Sequence, residues 1–201
     1  MPFFRQDGTD IHEAAACMAA LTRYGATPVC YAPEKIFAKV TNHKTGEESN
    51  NERLVLVESA RIARGTVEKL SDLKPDSIEA VVFPGGKGVV KVLSELSEVE
   101  KVLHDFNEAG KPMAFCGLAP ILAAKVFGSQ RVTLTLGKSS CPDYARIANE
   151  FGAQVVPAQV PQVHVDKNLK VVTYPGFSCS GEFHEIQDGV SEMIASLLRM
   201  L

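Results

Sequence analysis

The chain has 201 residues, of which 45% are hydrophobic and 22% charged, and its formal net charge is −3. These values are typical of one globular domain over residues 1–201 and exclude a broad basic surface for nucleic acid or anionic lipid. The charge balance therefore predicts no nucleic-acid partner. Because no apolar stretch approaches the length that crosses a bilayer, we expect no membrane partner either.

The first half of the chain predicts two helices, a short strand and a hairpin. The elements are a helix over 10–24, a strand over 27–33, a hairpin over 37–49 and a helix over 51–65. Only MPFFRQDGT precedes the first helix. The first strand of the domain is therefore either a stub at Phe3–Phe4 or missing, and a missing inner strand would leave sheet edges unpaired.

The second half alternates strands with helices. The strands are predicted over 77–88, 112–116 and 131–137, the helices over 89–108, 118–128 and 142–152, then a hairpin over 163–176 and a last helix over 181–200. This alternation predicts an α/β fold with a doubly wound, mostly parallel sheet and helices on both faces.

Five cysteines are spaced irregularly and form no Cys-x-x-Cys pair; they are Cys17, Cys30, Cys116, Cys141 and Cys179. This spacing predicts neither a zinc site nor a disulfide framework, and no nucleotide-binding motif is present, so we expect no metal and no cofactor. The opening residues lack the features of a secretory or organelle leader. The chain as given is therefore expected to remain in the cytoplasm with reduced thiols.

Three turns qualify as candidate ligand sites: residues 7–13, 84–88 and 116–120. Ligands of open α/β sheets bind beyond the carboxyl ends of the strands. There, Gly85 and Gly86 either offer backbone N–H groups to an oxyanion or form a turn that only needs positive φ. Glu13 either completes a capping box with Asp10 or holds a carboxyl group that exchanges a proton with a thiol or substrate.

The turn FCGLAP joins a predicted strand to a predicted helix. A nucleophile on such a turn sits at the strained residue near the helix N-terminus, which lowers a thiol pKa. Here the residue three before Pro120 is Gly117, which adopts strained dihedrals at little cost. Cys116 is then the last strand residue. Because side chains alternate along a strand, we expect its thiol to point into a packed face, away from the ligand edge.

Several sequence runs together resemble the ElbB-like branch of the PfpI superfamily, which is related to the class I glutamine amidotransferases. They are DGTDIHEAA, ESARIARG, FPGGKG, KPMAFCGLAP with ILAAKVFG, and HVDKNLKVVTYPGF. The chain looks closest to the animal, mitochondrial members. The resemblance implies a flavodoxin-like fold, frequent homodimers, and mitochondrial localisation if a leader has been lost.

The resemblance also implies a site. It pairs an elbow cysteine with a glutamate that matches Glu13, places Gly85 and Gly86 as backbone donors, and puts His12 and Leu118 beside them as substrate-binding residues. Members are associated with a weak, cofactor-free glyoxalase activity on small carbonyl metabolites. This sequence departs from the pattern, because Gly117 stands where the family has its cysteine.

Three functional hypotheses follow. The first is a catalytically silent protein that binds a small metabolite or a partner. The second is a slow glyoxalase in which Cys116 replaces the missing thiol and Glu13 is its proton partner. The third is a shortened gene product that depends on dimerisation.

Weaker candidate sites remain beside these. Cys141, before a predicted helix, is either a reactive thiol or a plain loop residue. Cys179 and His184 are a possible nucleophile pair if the fold brings them together. Arg61 and Arg64 form either a solvated helix face or an anion contact.

Overall fold

The computed structural model describes residues 7–37, 40–91, 97–137 and 142–201. The predicted strand stub at Phe3–Phe4 and the candidate thiol of Cys141 lie outside the described residues. The helices in chain order are α1 (Ile11–Arg23), α2 (Val55–Ala63), α3 (Lys87–Lys91), α4 (Ser97–Glu108), α5 (Pro120–Phe127), α6 (Pro142–Glu150) and α7 (Phe183–Leu198).

The strands are short. In chain order they are β1 (Tyr31–Ala32), β2 (Val40–Thr41), β3 (Glu48–Ser49), β4 (Glu68–Lys69), β5 (Val81–Phe83), β6 (Met113–Cys116), β7 (Thr133–Leu134), β8 (Gln154–Val155), β9 (His164–Asp166) and β10 (Val171–Tyr174). Four of them form the central sheet in the order β5-β6-β10-β9.

Parallel pairing dominates this sheet. β5 and β10 both run parallel to β6, and only β9 is antiparallel, paired with β10 through the predicted hairpin. Two further parallel pairs, β1 with β4 and β7 with β8, and the antiparallel β2–β3 hairpin complete the described strands. The predicted α/β fold is therefore confirmed.

Alternation along the central strands divides the core into two layers. Met113 and Phe115 face α4 and α5, where Leu103, Phe106 and Phe127 are fully buried. Ala114, Cys116 and Tyr174 face the other way, against α1 and α7. Helices on both faces explain why the central strands read as continuous apolar runs.

Most predicted elements are present with shifted ends. The helix predicted over 51–65 is α2, which ends with Arg64 in the left-handed region at φ 59°. The helix predicted over 89–108 corresponds to α3 and α4, and residues 92–96 between them are not among those described. The sequence did not predict β4 or β8, because each has only two residues and no apolar alternation. Among the described residues, no helix is both long and apolar enough to span a bilayer.

Candidate functional site

Glu13 lies in the first turn of α1, yet its carboxyl group faces the sheet. Asp10 caps the helix, with its Oδ1 accepting hydrogen bonds from the N–H groups of His12 at 2.9 Å and Glu13 at 3.1 Å. The Asp10 N–H donates to the Gly85 carbonyl at 2.7 Å. The Glu13 side chain therefore does not close a capping box, and that reading of the sequence is wrong.

Two backbone N–H groups from distant turns hold the Glu13 carboxyl group. The Gly85 N–H donates to Oε2 at 2.9 Å, and the Phe177 N–H donates to Oε1 at 2.9 Å. Gly85 follows β5, and Phe177 follows β10. The carboxyl ends of these two strands thus meet on one side chain from α1.

Three glycines surround the same carboxyl group closely. A Cβ at Gly85 or at Gly117 would lie 2.5 Å from Glu13 Oε2, and a Cβ at Gly176 would also overlap Oε1. Gly117 and Gly176 have φ values of 59° and 50°. Only glycine meets both demands, because it lacks a Cβ and tolerates positive φ.

Gly117 is the residue of the turn between β6 and α5 that has the left-handed backbone. Its N–H donates to the Tyr174 carbonyl at 2.9 Å, and Pro120 begins α5 in the first helical position. The sequence predicted this strained position correctly. The turn therefore has the backbone conformation of a nucleophile elbow but no side chain on it.

Cys116 ends β6 and is fully buried, at 0% exposure, beside Cys17 and Tyr174. The prediction of a packed Cys116 is confirmed. Its thiol nevertheless lies beside the Glu13 carboxyl group, which the sequence reading did not anticipate: a Cβ on Gly176 would overlap both Glu13 Oε1 and Cys116 Sγ. The reason is that α1 covers this face of the sheet and carries Glu13 to the end of the strand.

Burial controls the protonation of both groups. It raises the pKa of Glu13 to about 7, with the Asp10 charge adding to the effect and the N–H groups of Phe177 and Gly85 opposing it. Burial, followed by the Glu13 charge, raises the pKa of the Cys116 thiol well above its ordinary value. A nucleophilic thiolate needs the opposite shift.

The remaining predicted residues lie around this centre. A Cβ at Gly86 would be 2.6 Å from both the Asp10 nitrogen and the Gly8 carbonyl oxygen, so this glycine is required by close packing of residues 8–10. Leu118 is buried at 8% exposure. His12 is exposed, and its ring centroid lies 4.8 Å from that of Phe183 and 6.0 Å from that of Phe177.

The sequence reading missed Gly176, Phe177 and Phe183. The available signal was the run PGF directly after β10, because that turn lies at the same sheet edge as the turns after β5 and β6. Together His12, Phe177 and Phe183 form what we call the aromatic cluster, in which Phe183 is 56% exposed.

The DJ-1/PfpI family model matches residues 4–184. The chain belongs to the DJ-1/PfpI family. Among curated proteins, this DJ-1/PfpI chain is 40% identical to the human glutamine amidotransferase-like class 1 domain-containing protein 3, mitochondrial, over 96% of the chain and 78% of the human protein. It is 34% identical to the zebrafish (Danio rerio) ES1 protein, mitochondrial, over 96% of the chain and 81% of that protein.

Solved structures agree with the fold of this DJ-1/PfpI protein. A crystal structure of an isoprenoid biosynthesis protein with an amidotransferase-like domain from Ehrlichia chaffeensis superposes with a TM-score of 0.90 at 26% identity, covering 98% of this chain and 93% of the other. A ThiJ/PfpI domain protein from Brachyspira murdochii reaches 0.61 at 15% identity, covering 98% and 93%, and shows the fold alone.

Two of the weaker candidate residues in this DJ-1/PfpI chain, Cys179 and Arg61, have bonding partners in the structure. The Cys179 thiol hydrogen-bonds the Ala158 carbonyl at 3.7 Å. Arg61 pairs with Glu58 at 3.3 Å, in line with a salt-bridged helix face. Within the described part of the chain, no group of three or more His, Cys, Asp or Glu side chains is placed to hold a metal ion.

Proposed function

We propose that this protein is a catalytically silent, ElbB-like member of the DJ-1/PfpI family that binds a small carbonyl metabolite or a partner protein. One observation carries the proposal. At the turn where the family pattern has a cysteine, the chain has Gly117, and the Glu13 carboxyl group fills the space that a Cβ there would need. A thiol cannot be presented from that position.

Cys116 does not compensate for the missing thiol. Its side chain has no exposed surface, and both burial and the neighbouring carboxyl group favour the neutral thiol over the thiolate. A carbonyl substrate would have to reach a sulfur atom that lies under α1 and α7. These features support binding without turnover.

The aromatic cluster is the surface on which we expect a small ligand. It lies beside Glu13, because His12 precedes that residue and the Phe177 N–H holds its carboxyl group. An exposed aromatic side chain and a histidine offer an apolar surface and a hydrogen-bonding group to a carbonyl compound.

The test is incubation of the purified protein with methylglyoxal while the formation of hydroxy acid is followed. We expect the wild type, Cys116→Ser and Glu13→Gln all to match the buffer background. Cys179→Ser is the matched control, because it removes a partly exposed thiol from another loop. Turnover that disappears in Cys116→Ser and persists in Cys179→Ser would overturn the proposal.

A slow glyoxalase is the second candidate, and one observation favours it. The Cys116 thiol lies beside the Glu13 carboxyl group, whose pKa of about 7 suits proton transfer near neutral pH. A maleimide probe discriminates between the two candidates. If Cys116 is labelled only after unfolding, the glyoxalase candidate fails; labelling of native Cys116 that methylglyoxal blocks would support it.

We further propose a homodimer and, where a leader precedes the chain, a mitochondrial location. The human and zebrafish relatives are both named as mitochondrial proteins. Light scattering during gel filtration tests the dimer, and a single species at the monomer mass of 21.7 kDa would contradict it.

A further inference from the structure

One short turn, directly after β10, packs against the Glu13 carboxyl group. The Phe177 N–H donates to Glu13 Oε1 at 2.9 Å, and a Cβ on Gly176 would overlap the same oxygen. We call residues 175–179 the cover turn. With the cover turn in place, Glu13 is only 2% exposed, so this turn helps to shield the carboxyl group from water.

The cover turn has the features of a segment that opens locally. Two backbone hydrogen bonds, donated by the N–H groups of Ser178 and Cys179, close within the turn itself. The Cys179 thiol makes a long contact of 3.7 Å with the Ala158 carbonyl. Residues 177–179 are half-buried, and residues 180–185 after them are exposed. Segments with few buried contacts and exposed flanks open at a low cost in free energy.

The other turn that donates to Glu13 is held more firmly. The Asp10 N–H donates to the Gly85 carbonyl at 2.7 Å. A Cβ on Gly85 would lie 2.6 Å from the Cys116 carbonyl oxygen and 2.9 Å from the Gly117 Cα. Because backbone packs against backbone there, we expect the cover turn to be the element that moves.

A negative charge on Glu13 is costly while the cover turn is closed. Burial disfavours the ionised form, and two N–H donors offset this cost only in part. Burial is the main reason that the pKa of Glu13 rises to about 7, and the Asp10 charge adds to the rise.

The groups around Glu13 do not titrate in its place. The titratable and charged residues on the elements around the carboxyl group are Asp10, His12 and Cys17 on α1, Lys87 on α3, Cys116 on β6, Tyr174 on β10, Cys179 on the cover turn, and His184 and Glu185 on α7. Burial raises the pKa values of Cys17, Cys116 and Tyr174, so these three groups stay neutral while Glu13 ionises.

Proton binding therefore favours the closed turn. In the closed state the pKa of Glu13 is about 7, whereas its ordinary value is 4.5. If opening lets water reach the carboxyl group, the open state binds fewer protons than the closed state between these two values. A rise in pH through this window then shifts the equilibrium towards the open state.

We propose that the cover turn is a proton-controlled lid, which is closed while Glu13 is protonated and opens when Glu13 ionises. Phe177 belongs to this turn, so opening separates its ring from His12 and Phe183 and breaks up the aromatic cluster. A small molecule should then bind the cluster best at acidic pH. This regulation rests on the proposed function for the role of the aromatic cluster, whereas the movement of the turn does not.

Amide hydrogen exchange on the full chain tests the lid. NMR follows it between pH 5.5 and pH 8.5, with correction for the intrinsic pH dependence of exchange. We expect the protection of the Phe177 amide to fall by at least about tenfold over this range, and this amide to exchange faster than that of Val172 in the sheet centre at every pH. Protection of Phe177 that is constant with pH, or equal exchange of Phe177 and Val172, would overturn the proposal.

Two variants assign the pH dependence to one group. Glu13→Gln does not titrate, so the protection of Phe177 should be constant in it. Histidine ordinarily changes charge in the same pH range, so His12→Asn is the control, and it should keep the tenfold fall. Loss of the fall in His12→Asn would refute the lid even if Glu13→Gln does not fold. These measurements use no ligand, so a failure of the lid leaves the methylglyoxal test of the proposed function unaffected.

Discussion

The Glu13 carboxyl group and the backbone of Gly117 share one space: a Cβ on residue 117 would lie 2.5 Å from Oε2 and 2.7 Å from Oε1 of Glu13. The two residues come from α1 and from the turn after β6. Their contact places a carboxyl group, held by two backbone N–H groups, at the strained position of the strand-to-helix turn.

Replacing Gly117 by alanine should destabilise the protein more than the same change at a glycine without neighbours. Gly117→Ala combines positive φ with overlap on Glu13, and we expect a loss of about 2–4 kcal/mol in the free energy of unfolding. Gly110→Ala is the matched control, since Gly110 has a φ of 65° and nothing within 4 Å of its would-be Cβ. It should cost about 1 kcal/mol. Equal losses in urea unfolding would show that Glu13 does not fill the space.

Stability should depend on pH through Glu13. Its pKa rises from 4.5 to about 7 on folding, so the folded protein binds more protons between these values and the contribution of Glu13 to stability falls as pH rises through that window. Compared with Glu13→Gln, which does not titrate, the wild type should lose up to about 3 kcal/mol between pH 4.5 and pH 8. Urea unfolding of both proteins across this range measures the difference. A constant difference would contradict a raised pKa.

Gly189→Ala should destabilise α7 although alanine is the better helix former. A Cβ there would overlap the Tyr174 ring and hydroxyl, which are fully buried against the helix. We expect a loss of about 1–3 kcal/mol from overpacking. Gln187→Ala, on the exposed side of the same helix, should change stability by less than about 0.5 kcal/mol. A gain in melting temperature for Gly189→Ala would refute the close contact.

Asp7→Ala should loosen the β2–β3 hairpin. Asp7 accepts hydrogen bonds from the Thr41 N–H and from His43 Nε2, both at 2.6 Å, and so ties the hairpin to the segment before α1. Limited proteolysis within residues 42–47 should accelerate in Asp7→Ala. His43→Ala removes only the more exposed bond and should have a smaller effect. If both variants are cut at the wild-type rate, the tie does not hold the hairpin.

The sequence predicted those features that depend on local patterns. Apolar runs bounded by glycine and proline gave the α/β alternation, and the offset between Cys116 and Pro120 gave the strained position of Gly117. The ends of helices were less accurate, because apolar periodicity continues past the last helical hydrogen bond, as in the stretch around Arg64. Two-residue strands such as β4 leave no periodic signal at all.

The Glu13 environment was not predictable from local sequence. Its two donors, Gly85 and Phe177, are 72 and 164 residues away along the chain. From the local sequence, Glu13 has the spacing of a capping box. Only the tertiary structure shows that the turns after β5, β6 and β10 meet at its carboxyl group.

By itself, therefore, the sequence determined that Cys116 points into a packed face and that Gly117 takes the strained position of the turn, because strand alternation and glycine dihedrals act within a few residues. The tertiary structure alone decided that Cys116 lies beside Glu13 and that three glycines enclose that carboxyl group. These features depend on packing between elements far apart in the chain, where no short-range pattern constrains which groups meet.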